Sequence, residues 1–236
     1  MEKREKIAKT KLEIDRVKQI LIVASGKGGV GKSTISVAIA EQLTSQGAKV
    51  GIIDADIYGP SIPTILGLSG KPELSGNKMV PLISRGIKVI SMGFLVSADS
   101  AIAWRGPMST KAMYQLFCCT NWGDLDHLIV DTPPGTGDIH LSLLENYNID
   151  GTIIVTTPQK IAVADVIKAI DLYKKFSVPI WGIVENMSDA FSGTGGTDLA
   201  KKYNIPLIAQ IPLNKEISER TDKAIEIGSI MPRLLL

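Results

Sequence analysis

Apolar residues in this chain fall into short unbroken runs, separated by longer stretches where they recur every three or four positions. Ile20, Leu21, Ile22, Val23 and Ala24 form one such run, closed by Ser25-Gly26. A run this short, with no polar alternation, predicts a strand buried on both faces. A second run, Val50-Gly51-Ile52-Ile53, ends in Asp54-Ala55-Asp56, and further strands are predicted over 128–130, 153–156, 180–184 and 207–209. Between the first two runs, Ile35, Ile39 and Leu43 keep helical spacing and Gly47 supplies the stop, so residues 32–45 read as a helix. Other helices are predicted over 107–119, 140–147, 162–176, 197–203 and 215–227. Gly76-Asn77 and Arg85-Gly86 are turn signals, and they suggest a hairpin over 78–92. Strands alternating with helices predict an α/β fold, a doubly wound and mostly parallel sheet with helices on both faces.

Composition narrows the class without changing that picture. With 236 residues, 44% hydrophobic and a net charge of +2, the chain can bury a core, and disorder is excluded for its bulk. One domain is expected over 20–236. Residues 1–19 precede it as a charged run, read as a solvated helical lead-in or, more sharply, as an interaction arm. The near-neutral balance argues against a wide nucleic-acid-binding surface. No apolar run reaches the roughly 18–20 residues of a membrane span. The first 19 residues lack the apolar core of a secretory signal, and the chain has only two cysteines, Cys118 and Cys119, so a cytoplasmic address is expected. Two cysteines exclude both a disulfide framework and a self-contained four-cysteine metal site.

The candidate chemistry begins directly after the first strand. Gly26-Lys27-Gly28-Gly29-Val30-Gly31-Lys32-Ser33 fits G-x-x-x-x-G-K-S/T, placed between a predicted strand and a predicted helix. Glycines there allow backbone N–H groups to turn inward around an anion, and the helix N-terminus adds positive potential. Lys32 is predicted to reach the β- and γ-phosphates and the Ser33 hydroxyl to bind Mg²⁺. Leu128-Ile129-Val130-Asp131 is an apolar strand ending in a carboxylate suited to Mg²⁺. The glycine-rich stretch Thr132-Pro133-Pro134-Gly135-Thr136-Gly137-Asp138 suits a loop that responds to the γ-phosphate. The fold expected is therefore that of a P-loop NTPase. No guanine-reading N-K-x-D sequence is present, since Asn214-Lys215 is followed by Glu216-Ile217, which favours ATP.

The additional lysine, Lys27, makes the loop resemble the deviant Walker A class of ParA/MinD ATPases. That resemblance implies a homodimer in which Lys27 reaches the partner's phosphates. It also implies that Asp56 positions the attacking water, that Asp54 supports the metal shell, and that Asn186 and the loop around Pro212 flank adenine. The phrases Asp54-Ala55-Asp56-Ile57-Tyr58-Gly59-Pro60-Ser61, Trp104-Arg105-Gly106-Pro107-Met108, Trp122-Gly123-Asp124-Leu125-Asp126, Glu185-Asn186-Met187-Ser188 and Gln210-Ile211-Pro212-Leu213 are similar to the Mrp family of iron–sulfur cluster carriers. The resemblance implies ATP binding and hydrolysis, transfer of clusters to apoprotein clients, and contact with iron–sulfur assembly factors. A MinD/ParA-like positioning or adaptor ATPase that holds no cluster is the alternative.

Members of that family carry a C-x-x-C pair shortly after Asn-Met-Ser, so that a dimer holds one 4Fe–4S cluster. Here the stretch reads Asp189-Ala190-Phe191-Ser192-Gly193-Thr194-Gly195-Gly196, without cysteine. Hydroxyls are hard donors and do not replace thiolates on an iron–sulfur cluster. Cys118 and Cys119 are adjacent on a predicted helix and point about 100° apart, so they are expected to be small buried hydrophobes rather than a chelate. His127 and His140 are expected to be structural.

Overall fold

The computed structural model describes residues 11–95 and 107–214. The predicted helix over 215–227, the Trp104-Arg105-Gly106 phrase and most of the charged lead-in lie outside these residues. The chain runs β1 (Val17–Ser25), α1 (Lys32–Ser45), β2 (Val50–Asp54), α2 (Ile62–Ile65), β3 (Leu74–Ser75), β4 (Lys78–Met79), β5 (Leu82–Ser84), β6 (Ile87–Ser91) and α3 (Met92–Leu95). It continues through α4 (Pro107–Cys118), β7 (Leu125–Asp131), α5 (Asp138–Asn146), β8 (Gly151–Thr156), α6 (Lys160–Lys175), β9 (Ile180–Asn186), α7 (Gly195–Tyr203) and β10 (Leu207–Ile211).

Among the described residues the main sheet has eight strands in the order β10-β9-β8-β1-β7-β2-β6-β5. All neighbours are parallel except β5 and β6 at the edge. The unbroken apolar runs are explained by this placement. β1 sits between β7 and β8 with Ile20, Leu21, Ile22 and Val23 all buried, so neither face can carry polar side chains. One core lies between the sheet and α1, where Ile35, Ile39 and Leu43 meet Leu21, Val23 and Ile129. A second lies on the other face, where Met113, Leu116, Leu143 and Tyr173 cover Ile20, Ile22 and Val130.

Two segments differ from the sequence reading. The first strand begins at Val17 rather than Ile20, and Leu12 already bridges to Tyr147. Charges hid this extension. Val17 pairs in register with Leu125, while Arg16 and Lys18 meet Asp124 and Asp126, both at 2.7 Å. At residues 11–19 the chain is thus a pairing segment and not a helical lead-in. The predicted hairpin over 78–92 is instead two pieces, because each of its two turns closes its own antiparallel pair. β3 and β4 form a separate ribbon around Gly76-Asn77. β5 and β6 close around Arg85-Gly86, and β6 then joins the main sheet parallel to β2.

Candidate nucleotide-binding site

The parallel sheet delivers the ends of β1, β2 and β7 to one edge, and the predicted site residues follow those ends. After Ser25 the chain turns through Gly29 (φ 80°) and Gly31 (φ 83°), left-handed conformations that favour glycine, and then enters α1 at Lys32. Two glycines of this loop also have no room for a side chain. A Cβ on Gly26 would overlap the backbone of Asp165 and Val166 in α6, and one on Gly31 would overlap the Asn186 amide. No side chain caps α1, so its first-turn N–H groups face the loop as an anion site.

Lys32 and Asp131 form an ion pair at 2.8 Å, with side chains 7% and 0% exposed. A buried carboxylate needs its lone pairs filled, and two serines of α1 fill them. Ser33 Oγ donates to Asp131 Oδ2 and Ser36 Oγ to Oδ1, each at 2.6 Å. The Ser36 hydroxyl also lies 3.1 Å from the Lys32 carbonyl, one turn back on α1. Sequence reasoning missed Ser36, although its position one turn beyond Ser33 on the buried face of α1 was a usable signal. The Ser33 hydroxyl and the Asp131 carboxylate are hard oxygen donors side by side, a set that fits Mg²⁺.

Asp54 ends β2 directly beside Asp131 in the sheet register. Burial, reinforced by the charge of Asp131, pushes its carboxyl up to about 7. Its oxygens organise the following loop: Oδ1 accepts the Asp56 N–H (3.2 Å), while Oδ2 accepts the Ile62 N–H (3.2 Å) and the Ser91 hydroxyl (3.0 Å). Asp56 in turn accepts the Tyr58 and Gly59 N–H groups, so the loop from β2 to α2 is folded around two carboxylates. Across from it, Thr132 is fixed to the Val23 carbonyl through both N–H and hydroxyl, and the Gly135 N–H reaches the Ser25 carbonyl at 2.8 Å.

Two cavities meet at Asp56. One, about 410 Å³, is lined by Lys27, Gly28, Gly29, Gly31, Lys32 and Ser33 together with Asp56 and Pro134. The other, about 600 Å³, runs between Tyr58 and the segment Pro133 to His140. Both volumes are in the range of small-molecule sites. Lys27 is exposed at the mouth of the first.

Asn186 and Pro212 come together at the next two strand ends, because Ile211 pairs with Asn186 in register. The Asn186 amide nitrogen donates to the Val30 carbonyl at 2.9 Å, which attaches this corner to the phosphate loop. Neighbouring Glu185, 2% exposed and overlooked in the sequence, accepts the Gly196 N–H and the Gln210 amide at 2.6 and 2.7 Å. The Asp189–Gly196 stretch is thus built on close backbone approach, with Gly193 and Gly195 against the Pro158 carbonyl.

Cys118 and Cys119 lie at the opposite edge of the sheet. Cys118 ends α4 beside a cavity of about 190 Å³ lined by Arg16, Trp122 and Gly123, at the starts of β1 and β7. Both thiols are free and half-buried rather than wholly buried, and burial pushes the Cys118 thiol up. Among the described residues no group of three or more His, Cys, Asp and Glu side chains is placed to hold a metal ion.

Comparison with known proteins assigns this arrangement. A model of the NUBPL iron-transfer P-loop NTPases matches residues 16–233. The chain belongs to that family. An iron–sulfur cluster carrier protein from Rickettsia bellii is 55% identical over 223 residues, which cover 94% of this chain and 70% of the relative. A nucleotide-binding protein from Archaeoglobus fulgidus, solved in complex with ADP, is 34% identical and superposes with a TM-score of 0.77 over 93% of this chain and 94% of its own. The septum site-determining protein MinD from Pyrococcus horikoshii, at 21% identity and a TM-score of 0.71 over 89% and 87%, shares the fold. Family membership accounts for the cradle of Gly26 to Ser33 and the α/β sheet that presents it. Among the described residues no helix is long and apolar enough to cross a membrane.

Proposed function

We propose that this chain is a cytoplasmic, homodimeric, Mg²⁺-dependent ATPase that carries iron–sulfur clusters to apoprotein clients. The observation that carries the enzymatic half is the buried group of Lys32, Asp131, Ser33 and Ser36 beneath a glycine cradle. The cargo half rests on family membership and on the relatives named for cluster carriage.

In this reading ATP lays its phosphates on the N–H groups of Gly28 to Ser33. Lys32 exchanges Asp131 for the β- and γ-phosphates, a move that swaps one anionic partner for another within the same buried pocket. Ser33 and Asp131 hold Mg²⁺, which supplies charge neutralisation on the phosphate oxygens when bound. Asp54 braces this end of the sheet and fixes the loop that carries Asp56. Asp56 orients the attacking water, and Lys27 of the second copy adds positive charge as charge develops on the transferred group. Turnover is slow and depends on the dimer. On the base side the Asn186 nitrogen is committed to Val30, so its Oδ1 is the acceptor offered to the adenine amine, with Pro212 alongside.

The cargo is a substrate whose thiolates this chain cannot supply at Asp189–Gly196. That same lack of cysteine favours the second reading, an adaptor ATPase of the MinD/ParA kind that switches partners without a cluster. Anaerobic incubation with iron and sulfide, followed by visible absorbance and addition of an apoprotein acceptor, separates them. Carriage predicts a charge-transfer absorbance that moves to the acceptor in an ATP-dependent manner. Protein that stays colourless, alone and with acceptor, establishes the second reading.

A further inference from the structure

His140 is a histidine that the reaction outlined above does not use. It lies in the first turn of α5, 1% exposed, between the second switch loop and α6. Its Nε2 is 2.9 Å from the Pro133 carbonyl and its Nδ1 is 2.9 Å from the Tyr173 hydroxyl. A carbonyl can only accept, so Nε2 carries the proton, and Nδ1 accepts the Tyr173 O–H. The two contacts therefore define one tautomer. Tyr173 is itself wholly buried on α6. Burial also keeps the imidazole uncharged, pushing it down to about 4, so the relay is not interrupted near neutral pH.

The position of this relay gives it a role. Pro133 has no N–H, so its carbonyl is the only backbone hydrogen-bonding group the switch offers at that residue. On either side, Thr132 and Gly135 are held by the Val23 and Ser25 carbonyls of β1. α6 is also the helix on which the phosphate loop rests, since Gly26 lies against the backbone of Asp165 and Val166 with no space for a Cβ. A closed circuit results: phosphate loop, α6, Tyr173, His140, Pro133, Gly135 and back to Ser25 where the phosphate loop begins. We infer that His140, locked by Tyr173, is a positioning residue that holds the second switch loop at a fixed offset from the phosphate loop, so that the switch reads the γ-phosphate. It acts through the Pro133 carbonyl. The inference rests on the ATPase reading for its kinetic consequence but not for its structural one.

The test compares His140→Ala, His140→Gln and Tyr173→Phe with the parent. Steady-state kcat and KM for ATP are read alongside equilibrium affinities for ADP and a non-hydrolysable ATP analogue. A mispositioned switch lowers kcat on the order of tenfold to a hundredfold in His140→Ala and Tyr173→Phe, with ADP affinity unchanged. The preference for the ATP analogue over ADP falls in both. His140→Gln restores both quantities, because one amide offers a donor to Pro133 and an acceptor to Tyr173. Should His140→Ala not fold, Tyr173→Phe and His140→Gln carry the comparison. Equal losses of kcat and ADP affinity, a Gln variant as impaired as the Ala variant, or an unchanged analogue-to-ADP preference in Tyr173→Phe overturns the inference. If the parent itself releases no phosphate, the ATPase reading fails, while the analogue-to-ADP preference still decides the relay.

Discussion

Charge at the centre of this site is held by groups that would each be costly alone. Asp131 is fully buried, yet an ammonium and two hydroxyls surround it, so three charge-assisted contacts offset the water it loses. Asp54 and His140 show the opposite solution, with burial disfavouring their charged forms. Their effects on stability run in opposite directions with pH. The unfolded chain protonates His140 near 6.5 and the folded one only near 4, so stability contributed by the neutral imidazole is lost as pH falls through that window. Asp54 does the reverse: its folded carboxyl stays protonated up to about 7, so its contribution is lost as pH rises from about 4. Denaturant unfolding of the parent and His140→Gln isolates the first effect. Relative to the parent, the Gln variant should gain about 3 kcal/mol between pH 6.5 and 4. Parallel stability curves would contradict the assignment.

At the scale of elements, α6 is the shared support of the phosphate loop, the second switch and the Asp189–Gly196 stretch. Gly26→Ala places a methyl against backbone that cannot rotate away, so α6 must shift. The expected result is a destabilisation of about 1–3 kcal/mol by thermal or denaturant unfolding, with ADP affinity falling too. A variant as stable as the parent, with parental affinity, would show that α6 is not pressed on the loop. Interior parallel strands such as β1 and β8 were legible in the sequence because burial on both faces leaves only apolar residues. β6 was not, since Arg85-Gly86 signals a hairpin equally well whether or not its second strand goes on to pair with β2. The start of β1 was hidden by Arg16 and Lys18, whose partners Asp124 and Asp126 stand 108 residues away. Lys32, Ser33 and Asp131 were legible because motif spacing encodes them. Ser36 and Glu185 were overlooked, because they act on backbone and on other side chains rather than on a ligand, while His140 was read only as a structural histidine, without its partners.

For the whole molecule, the phosphate cradle and the two thiols lie apart. The cradle occupies the edge where parallel strands end, and the only two thiols lie at the other edge. In the proposed dimer, Lys27, exposed at the mouth of its own cavity, acts on the second copy's site. Lys27→Ala should keep ATP affinity and lose turnover by about a thousandfold. Mixing it with Lys32→Ala should restore activity, since the mixed dimer has one site with its own Lys32 and the partner copy's intact Lys27. Absence of rescue would contradict action across the dimer. The central claim is that the buried Lys32 group is a phosphate-transfer engine, and steady-state phosphate release at saturating Mg²⁺-ATP tests it most directly. The parent should turn over, and Lys32→Ala should release phosphate at least about a hundredfold more slowly. Equal rates in the two proteins would contradict the account.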